Sequence, residues 1–398
     1  MTRPAPVAIT GIGCLCGAGG TLDRCMESLH AGRRAPRPPS LIAAEHPERY
    51  PVFEVGEEDL SPVPAGAPEL SRTARLALEA ADQALRDAGL APEDLAGRRV
   101  GVVVGTTVGS AMNNEAFYRA YRRDEGPGLG SIRRFLRSNP AAAVAGRYGF
   151  DGPCQTVVNA CSSGTDAIGL GASWIRAGLC DLVLAGGADE LCRVTYNGFA
   201  SLMITDPGPV RPFDRGRRGL NLGEGAAMLV LEAAASGGAA QKTNRGLVLG
   251  YGSACDAYHL TAPRPDGAGL KAAIAAALVE AGRGPEEVAF VNAHGTGTPD
   301  NDRVESRVLD EVFPGVPFLS TKGCTGHTLG AAGAIEAAFT AACLQAGRVP
   351  ASAGFAEPDP ELPATPLREE LEIGGNVALS QSLAFGGNNA VLLIGRGR

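Results

Sequence analysis

At 398 residues, 44% of them hydrophobic, the chain can bury a sizeable core in two domains or one large duplicated unit, which excludes a disordered or fibrous protein. A net charge of −7 weighs against general nucleic-acid binding, because neutralising phosphates needs a basic surface. Ten cysteines without a Cys-x-x-Cys pair argue against a disulfide framework or a zinc site, so a reducing cytoplasm is expected and no metal.

Met1-Thr2-Arg3-Pro4 leads straight into the strand-like Val7 to Ile12, without the charged region and apolar core of a signal peptide, and nowhere do 18 apolar residues run together. A soluble, unexported protein with no membrane segment is expected. Residues 32–70, rich in Pro and Glu, read as a surface covering, and Ala74 to Ala88 as a helix. Val100 to Gly105 is an apolar strand. Residues 106–140 mix Asn, Arg, Tyr and Gly without clean periodicity and read as a second covering segment. After another apolar run come Cys161 and a small-residue stretch from Asp166 to Trp174 with helical character. The glycine-alanine stretch Ser236 to Ala240 marks a divide, giving an N-terminal half over 1–238 and a C-terminal half over 239–398.

The second half repeats the first. Leu247 to Gly252 corresponds to Val7 to Gly13, Val288 to Ala293 to Val100 to Gly105, and the turn from Lys322 to His327 to the Cys161 turn. Each unit is a strand, a glycine turn and a helix, and Lys271 to Ala281 and Ala332 to Ala346 supply further helices. Apolar strands alternating with Ala-rich helices predict an α/β fold in layers rather than a sandwich.

Three positions carry candidate chemistry. Cys161 sits where a β-branched run stops and a helix begins. A helix N-terminus offers unpaired backbone N–H groups and partial positive charge, which favour thiolate and can hold an oxyanion. His294 in Ala293-His294-Gly295-Thr296-Gly297-Thr298, and His327 in Gly323-Cys324-Thr325-Gly326-His327, are two of only five histidines. Both lie in glycine-rich turns that let backbone approach a ligand, not on a periodic apolar face.

These segments, with Lys322 five residues before His327, Leu329-Gly330-Ala331-Ala332-Gly333-Ala334 and Phe385-Gly386-Gly387-Asn388-Asn389, resemble the β-ketoacyl-acyl carrier protein synthases, the elongating ketosynthases of fatty acid and polyketide synthesis. The resemblance spans nearly the whole chain and implies a duplicated thiolase-like fold, layered α-β-α-β-α. It implies that Cys161 accepts an acyl group, that His294 and His327 donate hydrogen bonds to the enolate formed as malonate loses CO2, and that the backbone N–H groups of Cys161 and Phe385 hold the condensation oxyanion. Lys322 would pair with Glu305 and organise the histidines, and Phe385 would gate the acyl pocket, with Gly386 and Gly387 giving its loop room to move. Thr296 and Thr298 are expected to touch substrate. Met112, Asn113 and Asn114 would wall the acyl tunnel beside a partner subunit, where apolar residues are usual in the family. No cofactor is implied.

The partners implied are an acidic acyl carrier protein, expected to dock on Arg72 and Arg75 and less directly on Arg133, Arg134 and Arg137, and a second subunit, identical or ketosynthase-like, forming a dimer. Asn388 and the Ser163-Gly164-Thr165-Asp166 run depart from the commoner family forms, which opens a specialised type II polyketide pathway, of polyene or aryl polyene type, as an alternative. A non-catalytic chain-length factor, a further alternative, typically lacks the nucleophilic Cys present here. A thiolase would need a second catalytic Cys in the C-terminal loop, and Cys324 precedes His327 instead.

Overall fold

Apolar residues in unbroken runs cannot leave one face in water, so such strands must be covered on both sides. Ten consecutive buried residues form β1 (Val7–Cys16), followed by β2 (Val100–Gly105), β3 (Cys154–Val157), β4 (Leu182–Asp189) and β5 (Gly225–Ala233). The second half adds β6 (Gly246–Cys255), β7 (Phe290–Asn292), β8 (Phe318–Leu319), β9 (Arg348–Val349), β10 (Leu371–Glu372), β11 (Val377–Ala384) and β12 (Asn388–Arg396). The computed structural model describes residues 5–42, 46–62, 70–107, 114–234 and 244–397. The expected divide at Ser236 to Ala240 lies outside them.

Ten strands hydrogen-bond in the order β3-β2-β4-β5-β1-β6-β12-β11-β7-β8. Read outward from the centre, the halves carry the same order, with β6, β12, β11, β7 and β8 in the places of β1, β5, β4, β2 and β3. Pairing repeats too: β2 is parallel to β3 and β4, as β7 is to β8 and β11, and the inner pairs are antiparallel. The halves meet along Val7↔Val248, Ala8↔Leu247 and Ile9↔Gly246 of β1 and β6. The internal repeat expected from sequence is therefore a duplication of topology.

Helices Ser163–Arg176 and Ala332–Ala346 contact strands of both halves and form the middle layer; Arg72–Asp87 and Ala268–Ala281 cover the outer faces. This is the expected α-β-α-β-α stack. The stretch Leu329–Ala346 is long and apolar enough to cross a membrane, yet 83% of it is buried within the protein, so it is a core helix. Among the described residues of 106–140 the segment is a surface covering, as expected, but a helical one. It holds helices Glu115–Arg122 and Gly130–Arg137, neither with a buried residue, and Tyr118, Tyr121 and Leu136 are exposed. Each helix nevertheless gathers its apolar residues on one side, a regularity present in the sequence that the reading of this segment as aperiodic overlooked.

The outer helices lie close to the sheet because of paired glycines. A Cβ at Gly11 or Gly13 would overlap the carbonyl oxygens of Ala84 or Ala80, and one at Gly250 or Gly252 those of Ala277 or Ala273. The same close approach occurs at corresponding places in the two halves. Gly13→Ala and Gly252→Ala should each lower the unfolding free energy by about 1–3 kcal/mol through overpacking against backbone. Urea midpoints measure this, and unchanged midpoints would refute the contact.

Candidate functional site

In each half the candidate residues follow the parallel strands, and the region beyond strand carboxyl ends is the usual place for a ligand. Cys161 follows β3, His294 follows β7, Lys322 and His327 follow β8, Asp189 ends β4 and Phe385 follows β11. Cys161, His294, His327, Thr296, Thr298 and Phe385 line one cavity of about 200 Å³. The turn into Cys161 is strained, since Ala160 has φ +50°, a conformation costing a side-chain-bearing residue about 1 kcal/mol or more.

His327 Nε2 lies 3.1 Å from Cys161 Sγ. Its Nδ1 accepts the Leu329 N–H at 3.3 Å, so the ring proton sits on Nε2, facing the thiol. His294 meets His327 edge-on, with ring centroids 5.2 Å apart. Lys322 Nζ donates to His294 Nδ1 at 3.1 Å and to its carbonyl oxygen at 2.5 Å, which leaves the proton of this imidazole also on Nε2. Burial, then the Lys322 charge, holds both histidines well below the ordinary imidazole range, so both are neutral donors.

Lys322 is 1% exposed and forms an ion pair with Glu336. This corrects the expected Lys322–Glu305 pair. Glu305 instead accepts the backbone N–H groups of His294 (2.5 Å) and Gly295 (2.7 Å) and the amides of Gln381 and Asn301, fixing the histidine loop through its main chain. Burial pushes the Glu336 carboxyl up to about 7, against the pull of Lys322. Glu336 was missed in the sequence although a signal existed: it is the single charge in the helix Ala332–Ala346. A lone acid on an otherwise apolar element needs a buried partner. The same signal marks Asp189, which ends an apolar strand and gathers Thr106, Thr107 and the Gly330 N–H.

Burial pushes the Cys161 thiol up to about 12, outweighing Lys322 and the backbone N–H groups of Phe385 and of Cys161 itself, which pull it down. The expected resting thiolate is thus absent. The two N–H groups remain aimed at the sulfur, where an oxyanion on an acyl thioester would lie.

Phe385 stacks on Phe199, centroids 5.4 Å apart, and Gly386 and Gly387 follow at φ +86° and +79°. Thr296 and Thr298 share a hydroxyl hydrogen bond of 2.8 Å at the cavity wall. Asn114 is half-buried at the start of the helix Glu115–Arg122 and does not line this cavity. Met112 and Asn113 lie outside the described residues. Arg72 and Arg75, both partly exposed, are engaged in ion pairs within the chain. Arg72 holds the fully buried Glu224 carboxylate with two nitrogens, at 2.9 and 2.8 Å, and also binds Glu57, which Arg75 contacts at 3.0 Å. Arg133 and Arg137 are exposed.

Lys322→Met should leave Glu336 buried without its partner and lower the unfolding free energy by about 3–5 kcal/mol; a stability equal to wild type in urea would refute the pair. Alkylation of Cys161 by iodoacetamide should keep rising from pH 7 to 10, because the free thiol titrates near 12. A plateau below pH 8 would mean that the N–H groups and Lys322 outweigh burial.

Two family descriptions match the chain: beta-ketoacyl synthase, N-terminal domain, over residues 5–236, and beta-ketoacyl synthase, C-terminal domain, over 245–356. Among curated relatives, a 3-oxoacyl-[acyl-carrier-protein] synthase 2 of Synechocystis sp. is 34% identical over 97% of both chains. The tetracenomycin polyketide synthase ketoacyl synthase alpha subunit of Streptomyces glaucescens is 35% identical over 100% of this chain and 96% of its own. Among solved structures, the ishigamide ketosynthase/chain length factor superposes with a TM-score of 0.92 at 33% identity, covering 99% of each chain.

Proposed function

As a member of the β-ketoacyl synthase family this chain is an acyltransferase, and we propose that it condenses an acyl group held as a thioester on Cys161 with malonyl-acyl carrier protein, with loss of CO2. The observation that carries this reading is the placement of two neutral imidazoles and two backbone N–H groups around one buried thiol. Cys161 attacks the acyl-carrier thioester, its proton leaving with the departing carrier thiol. The neutral acyl-enzyme escapes the desolvation that opposes a bare thiolate.

Malonyl-carrier protein then enters. His294 and His327 donate from Nε2 to the thioester oxygen as the carbon–CO2 bond breaks and negative charge moves onto it. The carbanion attacks the Cys161 thioester, the N–H groups of Cys161 and Phe385 receive the oxyanion, and collapse expels the Cys161 sulfur as thiolate, which takes up a proton from water to restore the thiol. Lys322 and Glu305 act behind the histidines, Lys322 by setting the His294 tautomer and Glu305 by anchoring its loop. Phe385 opens the cavity to the acyl chain, with Thr296 and Thr298 beside the carrier-bound thioester.

The chain works in the cytoplasm with an acidic carrier protein, for which the exposed Arg133 and Arg137 offer cationic surface. It assembles as a dimer. The exposed Tyr118, Tyr121, Leu129 and Leu136, together with Val158 beside the edge strand β3, support a subunit interface. A second reading is a specialised polyketide ketosynthase paired with a distinct chain-length subunit, favoured by the likeness to the ishigamide structure. A non-catalytic chain-length role is disfavoured by the assembled Cys161–His327 contact.

Intact-mass analysis of wild type and Cys161→Ala after incubation with a panel of acyl-carrier proteins, then malonyl-carrier protein, tests the reaction. Acylation of wild type alone, followed by loss of the adduct and appearance of a β-ketoacyl product, is expected. His327→Ala should lower the condensation rate by about 10²–10³. No acylation from any donor, alone or with a ketosynthase-like subunit added, would sink the reading.

A further inference from the structure

The Asp166 run that departs from the commoner family form occupies a specific place. Asp166 is in the first turn of the helix that begins behind Cys161, and its carboxylate is buried. One oxygen accepts the Asn159 side-chain amide at 2.6 Å and lies 2.8 Å from the Ser162 hydroxyl; the other accepts the Tyr251 hydroxyl at 2.7 Å. Asn159 and Ser162 bracket Ala160 and Cys161, so a single carboxylate grips both sides of the strained turn that carries the thiol. Ser162 Oγ also lies 2.9 Å from the Asn159 carbonyl oxygen, closing the loop on itself.

Tyr251 belongs to β6, in the half of the chain that carries both histidines. Its ring packs where a Cβ at Gly169 would stand, which lets the hydroxyl reach across to the nucleophile helix. Of the groups on this carboxylate, two belong to the Cys161 turn and one to the opposite half. Neither Asp166 nor Tyr251 lines the cavity.

We propose that Asp166, braced by Tyr251, is a positioning residue for acyl transfer: it holds the Asn159–Ser162 turn so that Cys161 Sγ stays in register with the backbone N–H groups and His327. The inference rests on the ketosynthase reading for its substrate but not for its geometry. Asn159 and Ser162 share one carboxylate oxygen and Tyr251 has the other; an isosteric amide removes the charge that strengthens all three bonds and leaves only one oxygen as acceptor, so Asp166→Asn loosens the grip on the turn as a whole. Tyr251→Phe keeps the ring against Gly169 and removes only the hydroxyl.

The test separates acylation from decarboxylation. In Asp166→Asn the rate of Cys161 acylation, followed by intact mass, should fall about 10- to 100-fold, the penalty of a small misplacement of a reacting group. Alkylation by iodoacetamide should slow in the same direction, and Tyr251→Phe should show a smaller fall in both. Decarboxylation of malonyl-carrier protein, compared in the Cys161→Ala background with and without Asp166→Asn, should stay within about twofold, because it uses the histidines rather than the thiol. Wild-type acylation and alkylation rates in both variants would overturn the proposal. So would a parallel loss of decarboxylation, which would mark Asp166 as a general structural residue. Absence of acylation in wild type would instead defeat the ketosynthase reading, and the alkylation comparison alone would then decide the positioning role.

Discussion

Removing a lysine ammonium from water costs several kcal/mol, and the protein tolerates Lys322 at 1% exposure only by surrounding it with acceptors: the Glu336 carboxylate, the His294 carbonyl and His294 Nδ1. That arrangement has a chemical consequence. An ammonium donating to Nδ1 forces the imidazole proton onto Nε2, and its charge, after burial, helps to keep both rings neutral. A neutral imidazole with its proton facing the cavity donates a hydrogen bond to a developing enolate without itself changing charge. The buried cation thus sets what the histidines can do without touching the reacting atoms.

The duplication explains why these groups meet. Because β3 and β8 are corresponding strands in the two halves, the turn bearing Cys161 and the turn bearing Lys322 and His327 are counterparts, and the helices that follow them pack together as the middle layer. The helix Ala332–Ala346 then presents Glu336 to Lys322 from within that layer. Close glycine contacts at Gly164 and Gly333 let the two central helices approach, which brings Cys161 within 3.1 Å of His327. Packing and catalytic geometry are consequences of the same interface.

Cys161 shows a conflict resolved by the reaction itself. The sequence expectation of a resting thiolate rested on the helix terminus alone; burial opposes any anion there more strongly and lifts the thiol to about 12. Groups that cannot ionise the free thiol are well suited to charge that appears only in a transition state, where the substrate displaces water and the donors are already in place.

Much of the site was legible in the sequence because its parts are local: Cys161, His294 and His327 each sit in a turn whose glycines and threonines announce it, and strand-turn-helix units repeat along the chain. Layering followed from apolar runs that needed cover on both faces. What the sequence could not supply was any pairing between distant segments. Choosing Glu336 over Glu305 for Lys322, binding Arg72 to Glu224, and joining Tyr251 to Asp166 are decisions made across 14, 152 and 85 residues of chain. Charge partners are selected by distance in three dimensions and by desolvation, and neither quantity exists until the helices and sheet have packed.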